Sequence, residues 1–299
     1  MKLLRYGESG KERPAVLVGE NLASKNGGHL AVDVGDLVHD FDADFFESGG
    51  LERLAQSDLG HARVHLDEIR VGPPVARPRK LVCIGLNYVD HAREAGAELP
   101  QEPTVFFKAT NTVVGPYDDL LIPVGSQRTD WEVELAIVLG QEARYLPDED
   151  AAADVIAGYC LSHDVSERAF QLDRGGQWVK GKSCETFNPL GPWLATPDEF
   201  EGSPELEMSL WVNGERRQHS NTAQMVFRPS YVAWYLSQFM VLEPGDVINT
   251  GTPAGVGLGL DPPAYLQAGD TVDLAIEGLG RQRQVCRQAT SERKVGGES

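Results

Sequence analysis

Hydrophobic and polar positions alternate most clearly over residues 131–140, Trp-Glu-Val-Glu-Leu-Ala-Ile-Val-Leu-Gly. β-Branched and aliphatic residues running into a glycine predict a strand. Side chains two apart share a face, so Glu132, Glu134, Ala136 and Val138 point one way, and Val133, Leu135, Ile137 and Leu139 the other. One face is apolar throughout, and the second turns apolar after two carboxylates. Such a strand is expected to be buried on both sides over its far half. Comparable apolar runs bounded by turn residues predict strands at 80–85, 104–108, 120–123, 206–212, 246–250 and 271–277. Helices are expected around 89–97, 149–157, 168–173 and 231–239. Asn213-Gly214, directly after Leu210-Trp211-Val212, is a hairpin signal. Many strands and few helices, without regular βα alternation, describe a β-rich α+β fold. The segment Val71-Gly72-Pro73-Pro74-Val75-Ala76-Arg77-Pro78 reads as a linker. It divides the chain into a small N-terminal α/β domain, residues 1–72, and a larger domain, residues 78–290.

Composition narrows the function classes. The chain has 299 residues, 41% hydrophobic and 24% charged, as in soluble globular proteins. No apolar run approaches the ~20 residues that span a bilayer, and the first residues carry no long apolar stretch of the signal-peptide kind. The expectation is a cytoplasmic protein with no membrane partner. A net charge of −18 argues against binding to nucleic acid, which needs clustered Lys and Arg. Cys83, Cys160, Cys184 and Cys286 are widely separated with no Cys-x-x-Cys pair, so neither a zinc site nor a disulfide framework is expected.

The two carboxylates of the central strand lie about 7 Å apart along one face. They repel each other and are costly to desolvate, and a hard cation such as Mg²⁺, Mn²⁺ or Ca²⁺ between them relieves both effects. The same pattern also describes an exposed strand end with two solvated glutamates. A third acid, Asp164, ends the apolar segment Tyr159-Cys160-Leu161 and could complete a three-carboxylate site or simply cap a helix. His91 and Glu94, three apart on an expected helix, share a face and can hydrogen-bond. A carboxylate on an imidazole raises its basicity, which suits a general base, although a polar helix also carries such pairs on its surface. Lys182 follows the glycine-rich Asp173-Arg174-Gly175-Gly176 and could close over a site to meet developing negative charge. The Asn249-Thr250-Gly251-Thr252-Pro253-Ala254-Gly255-Val256-Gly257 loop could hold a substrate carboxylate through backbone N–H groups and the Thr252 hydroxyl. It is followed by Asp261-Pro262-Pro263 rather than a helix, which excludes a dinucleotide-binding loop.

Taken together, these segments resemble the fumarylacetoacetate hydrolase family. The resemblance covers residues 80–284 and rests on Gly85-x-Asn87-Tyr88-x-x-His91-x-x-Glu94, Phe106-Phe107-Lys108, Glu132-x-Glu134, Asp164-Val165-Ser166-x-Arg168, Lys182 and Gly251-Thr252-Pro253-x-Gly255-Val256-Gly257. The start, Met1-Lys2-Leu3-Leu4-Arg5-Tyr6-Gly7, resembles the bacterial branch that includes 2,4-diketo-3-deoxy sugar-acid hydrolases. Members of that branch are often labelled ureidoglycolate lyase or 2-hydroxyhepta-2,4-diene-1,7-dioate isomerase.

The resemblance implies a mixed β-sandwich roll, Mg²⁺ or Mn²⁺ as cofactor, and a homodimer. It implies Glu132, Glu134 and Asp164 as metal ligands, His91 and Glu94 as a water-activating dyad, and Lys182 facing the substrate. Arg168, Gln171 and Thr252 would bind substrate polar groups. The implied reaction is hydrolysis of the C–C bond of a 2,4-diketo acid, an acylpyruvate or a sugar-acid analogue. Pyruvate or a derivative leaves as an enolate, and a carboxylic acid is the second product. The same enolate chemistry allows two alternatives, decarboxylation of oxaloacetate or isomerisation of a dienoate; a non-catalytic binding protein would be expected to have lost part of this residue set. Two positions depart from the family pattern. His163 stands where Asn is common before the metal aspartate, and Lys182-Ser183-Cys184-Glu185 stands where Asp is common at the last position. The second change bears on the substrate rather than on the metal site.

Overall fold

The computed structural model describes residues 1–21, 28–94, 96, 98–202 and 204–291. The predicted central strand forms over Val133–Leu139 with every residue buried. It pairs antiparallel with Ile156–His163 on one side and Val247–Asn249 on the other. These strands lie within an eleven-stranded sheet. Beyond Val247–Asn249 come Leu81–Gly85, joined in parallel, and Thr104–Lys108 at the edge. Beyond Ile156–His163 come Leu194–Ala195 and then Lys2–Tyr6, Arg13–Asn21, Gly28–Asp33 and Arg63–His65, so the strands of residues 1–72 continue the sheet.

The period-two pattern maps onto two cores. Val133, Leu135, Ile137 and Leu139 pack with Val82, Ile84, Leu161 and Ile248, and against Met208, Leu210, Val272 and Leu274 of a second, five-stranded sheet. The second sheet thereby completes a sandwich. On the opposite face, Ala136, Val138, Leu81, Cys160 and Val247 meet Phe41, Phe45, Phe46 and Leu54, which lie on and beside the short helices Ala43–Glu47 and Gly50–Ala55. Glu134 stands on this second face, where the apolar cover stops. The architecture is a strand-rich α+β sandwich.

The hairpin expected at Asn213-Gly214 joins Glu207–Val212 to Glu215–Asn221, with φ of 52° and 79° at the two turn residues, the left-handed pair a type I′ turn requires. Three elements differ from expectation. The helix expected at 149–157 ends at Asp154, and a strand starts at Ile156, because that segment is buried on both faces and lacks alternation. Gly158 is needed within it, since a Cβ would lie 2.3 Å from the Ala195 carbonyl oxygen. Glu215–Asn221 and Gly280–Gln288 are strands with few apolar residues. Their inward positions include Gln218, Gln282 and Gln284, which are buried and bond strand and loop backbone and neighbouring polar groups. The helix expected at 89–97 spans Val89–Glu94; residues 95 and 97 lie outside the described residues.

Candidate metal centre and its surroundings

Antiparallel register builds the acidic site. Val133 lies opposite His163 and Glu134 opposite Ser162, so one residue further on Asp164 stands beside Glu132, its N–H donating to the Glu132 carbonyl at 3.0 Å. Glu132, Glu134 and Asp164 are all buried, with carboxylate oxygens within 4.8 Å of one another.

Three cations hold two of the three. Lys182 Nζ donates to Glu132 Oε2 and Asp164 Oδ2, both at 2.7 Å. Arg168 reaches Glu132 Oε1 at 2.7 Å and Asp130 Oδ2 at 2.8 Å, and donates to Gln171 Oε1 at 3.0 Å. Lys108 Nζ is bonded to Asp164 Oδ1 and donates to the Phe187 carbonyl at 2.6 Å. Burial alone would raise the Glu132 carboxyl, but Lys182 and Arg168 outweigh it and hold Glu132 below the ordinary carboxylate range. Glu134 has no such cation bonded to it: its carboxylate accepts from Gly251 N at 2.7 Å. Burial first, then Asp164 and Glu132, push it well above the usual carboxylate value.

With Asp130 included, four buried carboxylates face three cations, and the negative charge in excess is concentrated at Glu134. An all-oxygen donor set with one uncompensated carboxylate suits a hard divalent cation, Mg²⁺ or Mn²⁺. A further observation fits. On the same face, Asn249 donates to Asn188 Oδ1 at 2.8 Å while its own buried Oδ1 has no partner. That leaves an acceptor on the face that carries Glu134 for a water or a ligand hydroxyl.

His91 and Glu94 meet as their spacing predicts, Nδ1 to Oε2 at 3.0 Å. The other carboxylate oxygen of Glu94 accepts from Gly255 N at 2.9 Å, which ties the helix to the glycine-rich loop. The same loop donates from Gly251 N to Glu134, so dyad and triad are held by one segment. The turn into the helix is fastened by buried Asn87, which donates to the carbonyls of Phe227 and Thr250 and accepts from Phe227 N.

The remaining candidates are placed less simply. Arg168 and Gln171 do adjoin the triad, but their bonds run to Asp130, Glu132 and each other. The Thr252 hydroxyl donates to the Val133 carbonyl at 2.9 Å and accepts from Gln218, so its proton is already committed to the scaffold. Glu185 is exposed, and His163 lies on the opposite face of the sheet, bonded to Gln284 at 3.0 Å; neither departure touches the triad.

Two residues received no role from the sequence. Lys108 stands in the Phe106-Phe107-Lys108 motif, and its charge at the end of a mostly apolar strand is the signal that could have given it a role. Asp130 accepts from the N–H groups of Trp131, Gly257 and Leu258 as well as from Arg168, and so anchors the glycine-rich loop to the triad. A cleft of about 1270 Å³ between the N-terminal strands and the five-stranded sheet, lined by Trp193, Trp211 and Tyr117, includes none of these residues. The site is therefore assigned by its chemistry rather than by concavity.

Residues 80–287 match the family model described as fumarylacetoacetate (FAA) hydrolase C-terminal. The chain belongs to the fumarylacetoacetate hydrolase family. A protein of Burkholderia multivorans, provisionally named a hydrolase, is 48% identical over 290 residues, covering 97% of this chain and 100% of its own length. Among solved structures of the family, 2-hydroxyhepta-2,4-diene-1,7-dioate isomerase from Mycobacterium marinum superposes with a TM-score of 0.77 at 30% identity, covering 96% of this chain and 98% of its own. Maleylpyruvate hydrolase from Sphingobium sp. SYK-6, in complex with manganese(II) ion and pyruvate, gives a TM-score of 0.78 at 27% identity over 97% of this chain and 100% of its own. The family thus includes both hydrolases and isomerases, and no helix among the described residues is long and apolar enough to cross a membrane.

Proposed function

We propose that this protein is a metal-dependent hydrolase that cleaves the C–C bond between carbons 3 and 4 of a 2,4-diketo acid, giving pyruvate or a derivative and a carboxylic acid. The observation that carries this reading is the His91–Glu94 pair, held by the same glycine-rich loop that bonds the triad: Gly255 N donates to Glu94 and Gly251 N to Glu134. Decarboxylation needs an enolate-stabilising site but no base; isomerisation uses a base to shift a proton within the substrate, and hydrolysis uses it to activate water.

Glu94 accepts the Nδ1 proton of His91, which leaves Nε2 free to take a proton from water. The water oxygen attacks C4, the C3–C4 bond breaks, and its electron pair passes to the three-carbon fragment as an enolate. His91 returns the proton to C3. Lys182, already beside Glu132 and Asp164, presents positive charge to the developing enolate. The divalent cation held by Glu132, Glu134 and Asp164 supplies Lewis acidity when bound. Thr252 can contact a substrate carboxylate only by releasing Val133. Arg168 and Gln171 are read as positioning residues for Glu132 that also border the substrate. The reading includes a cytoplasmic homodimer acting on a small keto acid.

A second reading has its own support, the likeness to a protein named as a dienoate isomerase. The test is a panel of acylpyruvates, 2,4-diketo-3-deoxy sugar acids, oxaloacetate and dienoates, with metal-stripped protein reloaded with Mg²⁺ or Mn²⁺. Loss of diketone absorbance with stoichiometric pyruvate supports hydrolysis. A shift in ultraviolet absorbance without cleavage, or CO₂ release from oxaloacetate alone, overturns it.

A further inference from the structure

We propose that Phe106 and Trp178 form the wall on which the part of the substrate beyond C4 rests, and that this part is a planar unsaturated or aromatic group rather than an open-chain polyol. The inference rests on the hydrolase reading above and names its substrate class.

Location is the first argument. On the strand Thr104–Lys108, Phe106 and Lys108 share a face, and Lys108 grips Asp164. Phe106 therefore stands one step along the face that reaches the triad. The Lys182 ammonium, bonded to Glu132 and Asp164, lies 5.1 Å from the centre of the Phe106 ring. That is cation–π range, so the ring borders the charge that faces the substrate. Trp178, just before the helix Val179–Lys182, packs against Phe106 with ring centres 5.3 Å apart at 64°.

Gly85 is the second argument. It ends the strand Leu81–Gly85 at the turn that leads through Asn87 to His91. A Cβ there would lie 2.7 Å from Cζ3 of Trp178, so the indole lies directly on the glycine backbone. The wall thus reaches from Lys182 towards the segment that carries the dyad. Both rings are half-buried, with surface still open to a ligand.

Chemistry is the third. The nearby cations are engaged by carboxylates: Lys108 by Asp164, Arg168 by Asp130 and Glu132, and Lys182 by Glu132 and Asp164. A polyol laid on two aromatic rings gains no hydrogen bond from them, whereas a conjugated or aryl group gains dispersion and edge-to-face contact.

The test compares benzoylpyruvate with acetylpyruvate on the metal-loaded enzyme, in wild type and in Phe106→Leu, Trp178→Leu and Gly85→Ala. The ratio of the two kcat/KM values should fall about tenfold in each variant, mainly through KM for benzoylpyruvate, and Trp178→Phe should recover part of it. Equal losses on both substrates would overturn the proposal, since a purely structural role moves both alike. Calorimetric binding of phenylpyruvate and pyruvate to the same proteins separates this inference from the reaction itself. Should wild type cleave no diketo acid yet prefer phenylpyruvate by a margin that the Leu variants erase, the wall stands and the hydrolase reading falls. No preference for phenylpyruvate in wild type would overturn the wall.

Discussion

Replacing Glu134 with Gln removes the one triad carboxylate without a bonded cation, and its consequences can be worked from the charges around it. Glutamine keeps an oxygen to accept from Gly251 N. In the folded protein Glu134 titrates above the ordinary carboxylate value of 4.5. The stability linked to its titration is therefore full below about pH 4.5 and is lost as pH rises through the raised value. At pH 7.5 the metal-free protein carries that loss. Glu134→Gln should abolish it, so the metal-free variant should melt higher than metal-free wild type, by about 2 °C for each 1.4 kcal/mol regained. Metal has the opposite dependence. At a hundredfold excess over Kd, Mg²⁺ or Mn²⁺ should stabilise wild type by about 2.7 kcal/mol, or roughly 5 °C, and the variant hardly at all. The assay is thermal denaturation of chelator-stripped protein at pH 7.5, with and without added metal, repeated at pH 5 where the difference between the metal-free proteins should shrink. A metal-free variant less stable than wild type, or one that metal stabilises equally, would refute the charge argument.

Other outcomes follow from the same geometry. Lys108→Met should leave Asp164 with one cation fewer in a dry site and cost about 3–5 kcal/mol, read as a lower denaturation midpoint; an unchanged midpoint would show that Lys108 is dispensable. His91→Asn and Glu94→Gln should each lower kcat by about 10²–10⁴ while metal-induced stabilisation persists, and loss of both together would mean the dyad helps hold the cation. Burial lowers His163 to about 3, below the 6.5 of the free side chain. The unfolded chain therefore takes up the proton first, and stability falls as pH drops from 6.5 towards 3 by up to about 1.4 kcal/mol per unit. His163→Gln should flatten that part of the pH–stability curve, and an unaltered slope would place the effect elsewhere.

Periodicity alone determined a good deal of this protein. The step of two along Glu132-Val133-Glu134 put both carboxylates on one face, the step of three from His91 to Glu94 brought imidazole to carboxylate, and Asn213-Gly214 specified its turn. Such patterns are local, and a strand's alternation names its faces without naming its neighbours. Only the antiparallel register, Val133 against His163, set Asp164 beside Glu132; a slip of one residue would have turned it to the face that now holds His163. Lys108 and Lys182 are distant in sequence from the carboxylates they hold, and the three cations reach the site from separate elements. Lys108 comes from an edge strand, while Arg168 and Lys182 come from two short helices. The glutamine-rich strands were hidden for a related reason. Gln218, Gln282 and Gln284 count as polar in the sequence but are interior in the fold, because backbone carbonyls and N–H groups of strands and loops buried beside them need partners. Residue type and spacing supplied the carboxylates; tertiary packing decided which of them carries the uncompensated charge that a metal can neutralise.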